Sequence, residues 1–264
     1  MLSKDFANKV RKHILNMVYN SGGSHIASAL SIVDIISVLY NEILNVDNNN
    51  PKWDYRDRFI LSKGHACTPI YAALAELGFF SITDLNLYGK NDSILMNHIS
   101  HKVPGVEFST GALGHGLPFG VGKAKAAKFL NEKWKTFVLL SDGELDEGSN
   151  WEAFMFAAHH KLNNLTTIID YNKLQSLDTV ENTLNLEPLA DKFKAFGWEV
   201  IEIDGHNFEE LAKEFKKNHE FKPKVIIAHT IKGKGVSFME NKVEWHYKTP
   251  NKEELEIALK EQQY

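Results

Sequence analysis

The sequence lacks the features that mark several large classes of protein. Its 264 residues include one cysteine, Cys67, so no internal disulfide can form, and a reducing compartment such as the cytoplasm is expected. No apolar run is long enough to span a bilayer, and the amino terminus has no continuous apolar core of a signal peptide. Charges of the two signs nearly balance at a net −4, which indicates neither a nucleic acid nor a membrane surface as a partner.

Two nucleotide-binding motifs are also absent. No Gly-x-Gly-x-x-Gly follows a first strand and no Lys-Ser/Thr P-loop exists, so a generic nucleotide-binding domain is disfavoured. What is present is typical of a globular protein, with 43% hydrophobic and 24% charged residues. The length suits one large α/β domain with its own core, and a single domain over residues 1–264 is expected.

Two short apolar runs, residues 136–140 and 165–169, define the central part of the chain. They are rich in Val, Ile, Leu and Thr, as is typical of buried parallel strands. Between them, apolar residues recur at helical spacing over 151–162, and Ser149 and Glu152 have the spacing of a capping box. The pattern predicts a β-α-β unit, whose right-handed crossover sets the two strands side by side and pointing the same way.

Asp142 and Asn172 come directly after these two strands, at the edge where open α/β sheets bind ligands. A carboxylate and an amide oxygen suit Mg²⁺ or Ca²⁺ rather than Zn²⁺. Two side chains cannot fill the metal's coordination shell, which phosphate oxygens and waters complete, and Gly143 lets the backbone approach a phosphate. The pattern indicates a metal-bridged diphosphate. The alternative is an ordinary strand-loop-helix with an Asp-Gly turn and no ligand.

The rest of the chain alternates in the same way. Further strands are predicted at 57–62, 198–204 and 224–229. Helices are predicted near 6–17, 31–44, 67–77, 116–122, 188–197, 207–216 and 253–262. We therefore expect an α/β fold with a doubly wound, mainly parallel sheet and helices on both faces.

The residues at the two strand ends also resemble a known signature. Asp142-Gly143, with Asn172 thirty positions on inside Asp-Tyr-Asn-Lys, is similar to the motif of thiamin-diphosphate enzymes. Together with Gly105-Val-Glu-Phe-Ser-Thr-Gly-Ala-Leu-Gly114 and Leu61-Ser-Lys-Gly-His65, it makes residues 5–250 resemble the amino-terminal portion of transketolase. Ser141 departs from the family, which usually has Gly there. The resemblance implies the thiamin-diphosphate-binding fold, with thiamin diphosphate and Mg²⁺ or Ca²⁺ as cofactors.

The resemblance also implies particular ligands, residue by residue. Asp142, Asn172 and the backbone carbonyl of Leu174 would hold the metal. The remaining cofactor contacts would come from His65 at the diphosphate and the substrate side, Gly111 along the aminopyrimidine, Leu113 on the cofactor rings, Gly143, and His246 at the diphosphate. Tyr247, after His246, stands where the family's partly matching pattern has Gly, and a bulky ring there could narrow the acceptor channel.

Three further residues would take part in catalysis. By the resemblance, His25 lies near the reacting carbon of the cofactor and His98 contacts the substrate. Glu147 would lie at the contact between two cofactor sites of a dimer. From the residues alone, His25 has a simpler explanation as a capping or surface group. The acids at 144–147 could equally form a solvated loop at a helix N-terminus.

The implied reaction is transfer of a two-carbon ketol unit from a ketose to an aldose. The family's glutamate that acts on the pyrimidine ring belongs to a second domain, which this sequence does not include. We therefore expect a split transketolase, in which a separate carboxy-terminal subunit supplies the pyrimidine domain of an α₂β₂ heterotetramer. The alternatives are the α subunit of a 2-oxo-acid dehydrogenase-type enzyme, or a catalytically silent cofactor-binding subunit. The sugar substrates and the pathway stay open.

Overall fold

A five-stranded parallel sheet runs through the centre of the protein. In the computed structural model, which describes residues 1–218 and 220–262, the strands lie in the order β1-β2-β3-β5-β4. They are β1 (Arg58–Leu61), β2 (Thr136–Ser141), β3 (Leu165–Tyr171), β4 (Glu199–Asp204) and β5 (Lys224–His229). Every neighbouring pair is parallel, so the predicted strands and their direction are confirmed.

Helices cover both faces of this sheet. In chain order they are α1 (Ser3–Ser21), α2 (Ile26–Leu30), α3 (Val33–Val38), α4 (Thr68–Glu76), α5 (Gly116–Phe129), α6 (Gly148–His159), α7 (Val180–Thr183), α8 (Leu189–Ala195), α9 (Phe208–Lys216) and α10 (Lys252–Glu261). One face carries α1–α4, α9 and α10, and the other carries α5–α8. No helix in the described ranges is long and apolar enough to cross a bilayer.

Strands β1, β2, β3 and β5 are buried on both faces, as parallel strands between two helical layers are, whereas the edge strand β4 is partly exposed. In β2, Phe137 and Leu139 join the core under α1–α4, whereas Val138 and Leu140 join the core under α5–α8. The alternation follows from the two-residue period of a strand. The prediction of a doubly wound α/β fold is confirmed.

The central β-α-β unit forms as predicted, but its helix begins differently. β2 and β3 are parallel neighbours with Ser141 opposite Asp170, so the residues after them meet at one edge. The predicted capping box is wrong, because Glu147 occupies the cap position of α6 and gives no side-chain cap. Ser149 Oγ instead donates to the Gly114 carbonyl at 2.6 Å, a tertiary contact that competes with local capping.

The helix predicted over 31–44 starts earlier and is interrupted. It begins as α2, breaks at residues 31–32, resumes as α3 and ends in a π-helical turn, Leu39–Ile43. At the break, the Ser31 hydroxyl donates to Asp170 Oδ2 at 2.7 Å. The Ser31 side chain therefore binds a buried acceptor that is distant in sequence, and helical periodicity cannot predict such a contact.

Candidate active site

A cavity of about 260 Å³ opens at the carboxyl edge of the sheet. Ten of the eleven residues predicted from the sequence line it, namely His25, His65, His98, Gly111, Leu113, Asp142, Gly143, Asn172, Leu174 and His246. They come from six separate loops, which the sheet topology brings to one edge. The structure thus gathers these residues at one place, while their individual roles stay predictions.

Asp142 lines this cavity and is only 1% exposed to solvent. Its Oδ1 accepts from the Gly143 amide at 2.7 Å, and its Oδ2 accepts from the Lys173 amide at 2.6 Å. Lys173 has a φ of 65°, and this left-handed turn directs its N–H back toward the carboxylate. Burial, together with the nearby charge of Asp170, raises the pKa of Asp142 to about 7.

Asp170 orients the neighbouring Asn172. Asn172 Nδ2 donates to Asp170 Oδ2 at 3.0 Å, and Asn172 Oδ1 accepts from the Leu174 amide at 3.1 Å. Asp170 is completely buried and also accepts from Lys63 at 2.6 Å and from the Thr230 hydroxyl. Burial favours the neutral acid, but the Lys63 ammonium outweighs it and holds the pKa of Asp170 below its ordinary value.

Two buried lysines join this end of the cavity, and sequence reasoning assigned a role to neither. Lys63, 1% exposed, donates to Asp170 and to the Ser28 carbonyl. Lys232, also 1% exposed, donates to the carbonyls of Leu174 at 2.9 Å and Gln175 at 2.7 Å. Burial and the nearby Lys63 charge lower the pKa of Lys232 to about 8. Their positions in the sequence could have identified them, because each lysine follows a strand that ends at the same edge of the sheet as Asp142 does.

Four histidines cluster in the same cavity, and one of them reaches the lysines, since His246 Nδ1 lies 3.1 Å from Lys232 Nζ. The ring of His25 lies 5.0 Å from that of His65, 5.0 Å from that of His246 and 6.0 Å from that of His98. Burial, followed by nearby positive charge, lowers the pKa of His25 to about 4 and that of His246 to about 3, and takes the pKa of His65 well below its usual range. These three imidazoles are therefore neutral at pH 7, each with one donor and one acceptor nitrogen.

Glu144 is a second group that sequence reasoning missed. It is fully buried rather than part of a solvated loop, and burial raises its pKa. Its Oε1 accepts from the Gly114 amide at 2.9 Å and from the Ser62 hydroxyl. Because Ser149 binds the carbonyl of the same glycine, the segment that carries Gly111 and Leu113 is fixed against the Asp142 turn.

Glu147 is the one predicted site residue outside the cavity. Its side chain is exposed in this chain and lies beside Gly114. The predicted role concerned a contact between two cofactor sites, which one chain does not contain. That role stays a prediction.

The donor set fits a hard divalent cation and a diphosphate. Asp142, Asn172 and the Leu174 carbonyl offer only oxygen, which Mg²⁺ and Ca²⁺ prefer. Within the described ranges no three His, Cys, Asp or Glu side chains converge on a metal site, so these amide and carbonyl oxygens are needed. Lys63 and Lys232 supply positive charge for a polyanion. Fold and site together define an α/β protein that holds a metal-bridged diphosphate cofactor at the sheet's carboxyl edge.

Comparisons with known proteins agree with this class. The family model "Transketolase, thiamine diphosphate binding domain" matches residues 2–264. An apulose-4-phosphate transketolase subunit of Phocaeicola vulgatus is 42% identical, over 97% of this chain and 92% of that protein. The 6-deoxy-6-sulfo-D-fructose transketolase subunit SqwG of a Clostridium species is 40% identical, over 97% of this chain and 94% of that protein. The crystal structure of Campylobacter jejuni transketolase superposes with a TM-score of 0.93 at 32% identity, covering 99% of this chain and 43% of that one.

The chain belongs to the transketolase family and corresponds to its thiamine diphosphate-binding domain. It is a component of a transketolase-type transferase, and its cofactor is thiamin diphosphate with a divalent metal. The predicted family and cofactors are confirmed.

Proposed function

We propose that this chain is the diphosphate-binding subunit of a two-chain transketolase, which moves a two-carbon ketol unit from a ketose to an aldose. The observation that carries the proposal is the convergence of Asp142, Asn172, Lys63 and Lys232 in one cavity. The lengths of the relatives support the division into two chains. This chain spans 92% of a relative that is named as one subunit of a transketolase, but it spans only 43% of the Campylobacter jejuni transketolase chain.

Each group at the buried end has a proposed task. Asp142, Asn172 and the Leu174 carbonyl would hold the metal, while the two lysines, His65, His246 and the Gly143 backbone would bind the diphosphate. Gly111 and Leu113 would lie along the rings of the cofactor. Thiamin diphosphate, when bound, supplies a nucleophilic carbon and an electron sink for breaking a carbon–carbon bond.

The histidine end would handle the substrate. His25 and His98 line the same cavity as the metal ligands. A neutral imidazole can donate to a sugar oxygen from one nitrogen and accept a proton at the other, which suits stabilisation of a developing alkoxide. We also propose that Glu147 passes protons between two sites of the assembly.

The partner would be a separate subunit with a pyrimidine domain, in an α₂β₂ heterotetramer. This chain would form a single domain of that assembly and act in the cytoplasm, where the buried thiol of Cys67 stays reduced. Sugars or sugar phosphates would be the substrates. The two relatives' names specify a phosphorylated and a sulfonated sugar, respectively.

The test is an assay of the chain alone and with a partner chain that contains a pyrimidine-type domain. Ketol transfer is expected only from the mixture, and light scattering should give the mass of two copies of each chain. Transfer by the isolated chain would contradict the split site. Decarboxylation of a 2-oxo acid by the mixture would favour the dehydrogenase alternative. Cofactor binding by calorimetry without any transfer would favour a silent subunit.

A further inference from the structure

Tyr247 stands at the mouth of the cavity, where the sugar must enter. The metal ligands and lysines fix the diphosphate end, and His246 joins it to the histidine cluster, because its Nδ1 lies 3.1 Å from Lys232 Nζ. The substrate then lies beside His25, where the Tyr247 ring packs edge-on against His25 at 5.6 Å and against His246 at 4.6 Å. The side chain lines the cavity and is still 57% exposed, so one face of the ring is available to a ligand.

The backbone that carries Tyr247 is tied to the histidine loop on both sides. The His25 amide donates to the His246 carbonyl at 2.8 Å, one residue before Tyr247. Two residues after it, the Thr249 hydroxyl donates to the Gly23 carbonyl. The ring therefore projects from an anchored segment rather than from a loose surface loop, which is what a specificity wall requires.

The surroundings of this ring suit the hydroxylated part of a sugar. Of the described residues that line the cavity, only Lys63 and Lys232 are lysine or arginine, and both are buried at the diphosphate end. The Tyr247 hydroxyl makes no hydrogen bond to any described residue, so it can donate to or accept from a ligand. A tyrosine ring also provides a rigid apolar surface for carbon–hydrogen groups.

We propose that Tyr247 is a specificity-determining residue of the sugar channel. Its ring forms the wall beside His25 and excludes aldehyde acceptors in which the carbon next to the reacting carbonyl carries no hydrogen, whereas an aldose carries one hydrogen there. Its hydroxyl binds a hydroxyl of the acceptor. This inference rests on the proposed ketol transfer and deepens it, because it states which acceptors the site takes.

The steric part is tested with Tyr247→Gly in the assembly with its partner chain. The aldehydes 2-methylpropanal and 2,2-dimethylpropanal differ by one methyl group on the carbon next to the carbonyl. The ratio of kcat/KM for 2,2-dimethylpropanal over 2-methylpropanal should rise about tenfold, the range that one carbon decides in a close-fitting pocket. Tyr55→Gly is the matched control, since Tyr55 is 59% exposed but does not line the cavity, and its ratio should not change.

The hydrogen bond is tested with Tyr247→Phe. Glyceraldehyde and propanal have the same chain length, but only glyceraldehyde carries hydroxyls. Loss of one hydrogen bond should lower kcat/KM for glyceraldehyde by about three- to tenfold through KM, with propanal unaffected. Cofactor affinity, measured by calorimetry, should equal that of the wild type in both variants.

The outcomes separate the two proposals. If the wild-type assembly transfers no ketol unit, the proposed function fails and this inference falls with it. If the wild type is active and both variants keep its acceptor preferences, the inference alone is wrong. Weakened association with the partner at unchanged selectivity would also overturn it, because Tyr247 would then be an interface residue.

Discussion

The two ends of the cavity are built in opposite ways. At the diphosphate end, Asp142 and Asp170 are at most 1% exposed, and Lys63 and Lys232 are equally buried with hydrogen-bonded ammonium groups. At the sugar end, His98 is exposed, Tyr247 is 57% exposed, and His25 keeps a buried Nδ1 without a partner among the described residues. The diphosphate end is thus held by contacts within this chain, whereas the sugar end keeps polar groups without such contacts among the described residues.

The difference has a physical reason. A metal and a diphosphate concentrate charge, so their ligands must be fixed beforehand in a medium of low polarity, where each charge needs a partner. A sugar is neutral near its carbonyl, and hydrogen bonds to it can form on arrival. Changes at the diphosphate end should therefore affect folding and cofactor binding, and changes at the sugar end should chiefly affect the reaction with the sugar and the choice of substrate.

The largest effect is expected from Asp170→Ala. This change leaves the Lys63 ammonium buried without its counter-charge, which costs about 3–5 kcal/mol in the free energy of unfolding. Urea denaturation measures it. Asp191→Ala is the control, because it removes an exposed ion pair with Lys194 and should cost below about 1 kcal/mol. Equal losses from both variants would show that the buried pair has no special importance.

Asn172→Ala should weaken metal-dependent binding of thiamin diphosphate by about 100-fold, because it removes an oxygen ligand at a site with few of them. Leu174→Met should leave binding nearly unchanged, since only the backbone carbonyl of residue 174 is assigned to the metal. Calorimetry in the presence of Mg²⁺ compares the two, and urea denaturation shows whether the fold survives. Equal weakening would contradict the ligand assignment.

Glu144 offers a sharper test, because it contacts the cofactor loop rather than the cofactor. Glu144→Ala leaves the buried Gly114 amide without an acceptor, which costs about 1–3 kcal/mol of stability. The Gly111–Leu113 segment then loses its anchor, and cofactor affinity should fall about tenfold. Glu144→Gln keeps an acceptor oxygen and should bind nearly as the wild type does. A glutamine variant as weak as the alanine variant would contradict a positioning role.

The last prediction concerns acid. The pKa of His25 is lowered to about 4 mainly by burial, whereas a histidine in the unfolded chain titrates near 6.5. Between these values the unfolded state binds the extra proton, so the free energy of unfolding should fall as pH falls from 6.5 to 4. His25→Asn should make that fall shallower. A His25 imidazole resonance that titrates near pH 6.5 in the folded protein would contradict the prediction.

The sequence was sufficient for the fold and for most of the cavity. Asp142 and Asn172 could be found because each follows a clear apolar run, and parallel strands bring their carboxyl ends to one edge. The role of Asp170 could not be read in the same way. Inside a strand, only tertiary structure shows that a carboxylate is surrounded by Lys63, Ser31 and Thr230.

Two wrong predictions and one alternative that the structure rules out have a cause in common. Ser149 fits a capping box by spacing, Ser31 fits a continuous helix, and Glu144 fits a solvated loop. In each case the side chain forms a hydrogen bond with a partner distant in sequence. Ser149 donates to the Gly114 carbonyl, and Ser31 donates to Asp170. Glu144 accepts from the Gly114 amide and from Ser62. Local patterns describe what a residue can do alone, and they do not include such competition.

The most direct test of the account is diffraction from crystals of this chain with thiamin diphosphate and Mn²⁺, a divalent ion with a strong anomalous signal. An anomalous peak is predicted between the Asp142 carboxylate, the Asn172 amide oxygen and the Leu174 carbonyl, with the diphosphate beside Lys63 and Lys232. A peak elsewhere, or a diphosphate bound away from these two strand ends, would contradict the central claim.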